Sequence, residues 1–79
     1  DSEAKRALYD FFDENESLAV AIHYAVKGAI EPGWKGYKPK QNKVKRAIYG
    51  VLSEFKFDNT EERTNHIYDL VQKQVEYND

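Results

Sequence analysis

Apolar residues recur at helical spacing along almost the whole chain, and nowhere does the alternation of a half-buried strand hold. Ala4, Ala7, Leu8, Phe11 and Phe12 mark a first helix over about 2–12. Leu18, Ala21, Ile22, Ala25, Val26, Ala29 and Ile30 mark a second over about 14–30, widened by Ala19 and Val20 and expected to be the most buried. Gly28 weakens its last turn. Pro32, Gly33, Gly36 and Pro39 then fall together and make the clearest break in the chain. A third helix is predicted from near Pro39, with Val44, Ala47, Ile48, Val51, Leu52 and Phe55 inward and Gly50 as a weak point. Ile67, Leu70, Val71 and Val75 mark a fourth, flanked by Tyr68 and Tyr77. Side-chain caps are expected from Asp13 with Glu16 before the second helix, and from Asp58, Asn59 and Thr60 before the fourth. The fold class is all-α, a small compact bundle of about four helices with short connections.

No linker, repeat or low-complexity tract divides the chain, so 1–79 is read as a single helical domain. A chain of 79 residues buries roughly 60–65% of its unfolded surface and has little room for a deep cleft. There is no Cys, which excludes disulfides and thiolate metal sites. There is no Met and the chain begins at Asp1, so it is expected to be a fragment of a longer protein. No apolar run approaches the ~20 residues needed to span a bilayer, so no membrane partner is expected.

Catalytic chemistry finds little support. His23 and His66 stand on different helices and form no local ligand pair. Asp10, Asp13, Glu14 and Glu16 crowd one junction, where helix capping accounts for them better than paired acid–base work. The glycines form no phosphate-binding loop. No catalytic residue, cofactor or metal ligand is therefore expected in this piece.

Charge is more informative. The net charge is −2, yet Lys35, Lys38, Lys40, Lys43, Lys45 and Arg46 lie between Pro32 and Ser53 with no acidic residue among them. Trp34 and Tyr37 are interleaved with them. Such a block can hold phosphates and stack bases, or it can anchor a protein interface. Alternatively, Trp34 folds back as a lid on the bundle and the lysines are merely solvated. The candidate contact residues are Trp34, Lys35, Tyr37, Lys38, Lys40, Lys43, Lys45 and Arg46.

A series of short motifs runs in order from about residue 4 to 77. It comprises Ala-Leu-Tyr-Asp at 7–10, Glu-Asn-Glu-Ser-Leu-Ala at 14–19 and Trp-Lys-Gly at 34–36. Lys-Val-Lys-Arg-Ala-Ile-Tyr at 43–49, His-Ile-Tyr-Asp-Leu-Val at 66–71 and Glu-Tyr at 76–77 complete it. The series resembles the C-terminal helical domain of the restriction (motor) subunit of type I restriction–modification enzymes. The resemblance implies a cytoplasmic parent with a nuclease domain and two helicase domains that use ATP and magnesium to translocate duplex DNA. It implies that this region is non-catalytic and helps the subunit assemble with the methyltransferase and specificity subunits or with its own helicase domains. The alternative is a nucleic-acid-binding module that sets Lys43, Lys45 and Arg46 on the phosphates of duplex DNA.

Overall fold

A computed structural model describes residues 3–12, 15–56, 58–74 and 77. Within the first helix, the side chains of Ala4, Lys5 and Phe11 lie outside the description. The helices are α1 (Glu3–Phe11), α2 (Glu16–Ala29), α3 (Lys38–Glu54) and α4 (Thr60–Gln72). A single 3-10 turn, Trp34–Gly36, lies between α2 and α3, and there is no strand among the described residues.

Local chemistry sets the boundaries. Asn15 is extended at φ −79°, and its Oδ1 accepts the amide of Leu18 at 3.1 Å, which caps α2. The cap is thus Asn15 where the sequence pointed to Asp13, which lies outside the described residues. Glu16 in the first turn and Lys27 in the last both suit the helix dipole. The helix runs through Gly28 and stops at Ala29, because Pro32 restrains the backbone just before it and lacks an amide hydrogen. Gly33 then adopts φ +77°, a left-handed turn that a side chain would strain, and swings Trp34 back toward the helices.

The start of α4 departs from expectation. Asn59 sits at its N-cap in the left-handed region (φ +56°) and makes no side-chain cap bond. Arg63 instead reaches back, with Nε donating to the Asp58 carbonyl at 2.9 Å and its amide to the Asn59 carbonyl at 3.0 Å. Glu61 and Glu62 still complement the dipole of the first turn.

α2 packs between α1 and α3, α3 packs on α4, and α1 also meets α4. The core takes Leu8 from α1, then Leu18, Ile22 and Val26 from α2, Val44, Ile48 and Leu52 from α3, and Ile67 and Val71 from α4. Trp34, Tyr68 and Tyr77 join them, so two tyrosines read as flanking residues are core residues. Phe55, predicted to face inward, is 40% exposed, and Val75 lies outside the described residues. The Cα radius of gyration is 11.5 Å, which matches about 12 Å for a compact chain of this length. No helix among the described residues is long and apolar enough to cross a membrane.

Candidate functional site

The basic segment begins in the turn after α2 and continues along the first half of α3. Its aromatic member does not face outward. Trp34 has no exposed surface; its Nε1 donates to the Tyr77 carbonyl at 2.8 Å and its ring meets Tyr68 edge-on at 6.0 Å. The expectation that Trp34 anchors a surface contact is therefore corrected to the lid alternative. The indole closes the bundle because Gly33 turns it inward and the tail carbonyl satisfies its buried donor.

Helical register divides the six cations. Lys35 is half-buried; its Nζ donates to the Gln72 carbonyl at 2.7 Å and stands 5.6 Å from the centre of the Trp34 ring. Lys40 donates to the Pro32 carbonyl at 2.6 Å and lies 5.9 Å from the Tyr37 ring. Lys43 pairs with Glu31 at 2.7 Å. That hydrogen bond, and then the charge of Lys43 itself, hold the Glu31 carboxyl below the usual carboxylate range. Lys45 lies 4.7 Å over the Tyr68 ring. Those four ammonium groups are engaged within the fold. Lys38 and Arg46 are exposed and make no hydrogen bond or ion pair among the described residues. Tyr37 is 55% exposed at the α3 N-cap.

The outward edge of α3 carries Lys38, Asn42, Arg46, Tyr49 and Ser53, all exposed. Lys38, Asn42 and Arg46 follow one another at about 6 Å, the rise of four helical residues. Tyr49, 48% exposed, was read from the sequence as a surface tyrosine but not as a contact residue, and its position one turn beyond Arg46 places it on this edge. Tyr77, read from the sequence only as a flanking residue, is fully buried, and no local pattern marks its partners.

α3 is charged against its own dipole. Its first turn has no acid and holds Lys38 and Lys40, its last turn has no base and holds Glu54, and Tyr37 provides no side-chain cap. A cation at a helix N-terminus opposes the dipole by about 0.3–1 kcal/mol. Local helix stability does not account for this arrangement.

The remaining candidates are separate from this edge. His23 is 3% exposed and His66 is exposed on α4. Among the described residues no three His, Asp or Glu side chains converge as metal ligands. Asp10 and Glu16 are exposed, while Asp13 and Glu14 lie outside the described residues. A shallow open depression lies at the start of α4, lined by Asn59, Glu61, Glu62 and Asn65.

No protein-family model, curated protein or solved structure matches the chain.

Proposed function

We propose that this chain is a non-catalytic assembly domain of the restriction subunit of a type I restriction–modification enzyme. It docks through the outward edge of α3, with Tyr37, Lys38, Arg46 and Tyr49 facing an anionic surface of the methyltransferase core or of the parent's own helicase domains. The observation that carries the docking surface is the charge arrangement of α3. Lys38 and Lys40 oppose the helix dipole, and the uncommitted cations Lys38 and Arg46 lie along one edge with no carboxylate until Glu54. An anionic partner offsets that cost, and the tyrosines supply contact area with little loss of side-chain freedom. The family assignment rests on the ordered motifs from Ala7 to Tyr77.

A second reading has its own support. Three hydrogen-bond donors at one-turn spacing, Lys38, Asn42 and Arg46, suit the phosphates of duplex DNA.

Fluorescence anisotropy separates the two. The labelled chain is titrated with the cognate methyltransferase core and, separately, with plain duplex DNA, each at low and moderate salt. Docking predicts saturable binding to the core that survives moderate salt. The paired reversal Lys38→Glu and Arg46→Glu should weaken it while leaving the thermal melt unchanged. Binding to DNA alone, with log affinity falling by about 0.9 per phosphate contact for each unit of log salt, would transfer the edge to nucleic acid. Failure to bind either would refute the DNA reading and docking on the methyltransferase core, and would leave packing against the parent's own helicase domains.

A further inference from the structure

α2 packs against both α1 and α3, and turns Leu18, Ala19, Ile22, His23, Val26 and Ala29 to the core. At about 100° per residue, the opposite arc carries Glu16, Lys27, Val20, Tyr24, Ser17 and Gly28 in that angular order, and all six are exposed. The middle of the arc is apolar. Val20 is 36% exposed, and one turn on Tyr24 is 61% exposed. The Tyr24 ring rests edge-on against His23, with centres 5.2 Å apart and planes at 74°. A large exposed ring held in place loses little freedom when a partner covers it.

The two charges on the arc are unlike and stand at opposite ends. Glu16 opens the helix, and Lys27 lies in its last turn about 16 Å further along the axis. They are too far apart to pair with each other, and neither makes a hydrogen bond or ion pair among the described residues. Gly28 weakens the helix, yet a side chain there would meet nothing within 4 Å, so the bundle itself gives no reason for it.

We propose that this face is a self-association surface, on which a second copy of the chain lays its own α2 antiparallel about a two-fold axis. Symmetry decides the orientation. A two-fold axis across antiparallel helices sets each flank of one helix against the same flank of the other. Glu16 and Lys27 share a flank, so Glu16 of each copy meets Lys27 of the other, and the pair forms twice. In the same register Val20 lies opposite Tyr24 of the other copy, to within about 1 Å along the axis. Ser17 comes opposite Gly28 on the second flank, where neither holds the backbones apart. A parallel pair would instead set like charges level with one another and align the two helix dipoles side by side. A single pair of 14-residue helices covers less than the about 1,600 Å² of a standard interface, so the dimer is weak and reversible. The face shares no residue with the outward edge of α3 and does not rest on the docking role proposed there.

Sedimentation equilibrium of the full chain from about 10 µM to about 1 mM tests this, with far-ultraviolet circular dichroism reporting the fold. The expected result is a monomer–dimer equilibrium within that range. Glu16→Lys and Lys27→Glu each turn two attractions into two repulsions, and each should weaken the dimer about tenfold with the helical signal unchanged. Mixed one to one, the two variants form both unlike pairs again, and the mixture should return to within about threefold of the parent affinity. Val20→Lys, at a position already open to solvent, tests the apolar centre independently of the helix ends and should leave the chain folded and monomeric. A parent chain that stays monomeric throughout would overturn the proposal. So would association that neither reversal nor Val20→Lys weakens, or a mixture that binds no more tightly than the single variants.

Discussion

Replacing Trp34 by alanine tests whether the aromatic member of the basic segment holds the fold or meets a partner. Trp34 heads the fully buried side chains by volume. Removing a buried Trp costs about 3–5 kcal/mol through lost transfer energy and the cavity left behind. The Tyr77 carbonyl, which accepts the indole hydrogen at 2.8 Å, loses that donor as well. A domain of 79 residues has in total about 4–12 kcal/mol. Trp34→Ala therefore removes between about a quarter of the stability and all of it. With a urea slope of about 1 kcal/mol per M for a chain this small, the midpoint falls by about 3–5 M, or the variant is unfolded without denaturant. Trp34→Phe keeps a ring but no donor and should lose less, about 1–3 kcal/mol, much of it the desolvation penalty at the carbonyl. The assay is urea unfolding followed by far-ultraviolet circular dichroism, which needs no tryptophan. A midpoint in Trp34→Ala within about 1 M of the parent would refute the reasoning and return Trp34 to the surface.

Three smaller perturbations probe features on which the fold depends. Asn15→Ala removes the oxygen that caps α2 at Leu18 and should cost about 1 kcal/mol, read as a lowered midpoint; an unchanged midpoint would mean that the cap is idle. Lys56→Gly relieves a left-handed backbone (φ +59°) just past the end of α3 and should raise the melting temperature by a gain of about 0.5–1 kcal/mol; a lower melting temperature would contradict this. Tyr68→Phe deletes a buried hydroxyl that has no hydrogen-bond partner among the described residues and should be neutral or stabilising by up to about 1 kcal/mol. Burial, and secondarily the charge of Asp69, raise the Tyr68 pKa above 10.0. Its contribution is therefore complete below the ordinary value and lost as pH climbs through the raised one, so Tyr68→Phe should lose less stability than the parent in that alkaline range.

The four helices were legible in the sequence because burying one helical face imposes its period on the side chains. Leu18, Ile22 and Val26, and then Val44, Ile48 and Leu52, carry that period without interruption. The cap of α2 was nearly legible: several capping residues stand in a row, and only Asn15 directly precedes the first turn. The basic segment was legible as composition but not as a surface. Six cations that look equivalent along the chain are separated by register and by distant partners, with Lys35 on Gln72 and Lys45 over Tyr68. The lid role of Trp34 was legible only as one alternative, and the burial of Tyr77 was not legible, for a related reason. Each explains the burial of the other, and local patterning does not couple residues 43 positions apart. The left-handed Asn59 shows the limit of cap chemistry, since a residue type suited to capping stands at the N-cap of α4 and makes no side-chain cap bond.

The contact between Trp34 and Tyr77 also has a consequence in time. Helices adjacent in the chain pack on one another, so most of the bundle assembles through short-range encounters. The indole must wait for a partner 43 residues downstream. At a synthesis rate of about 5–20 residues per second, Trp34 leaves the ribosome roughly 2–9 s before Tyr77 does. For that interval the nascent chain shows an uncovered indole beside a run of lysines. If the closure forms after the main folding barrier, substitutions at Tyr77 will hasten unfolding and leave the folding rate nearly untouched. The lone tryptophan then keeps time for the last step of folding.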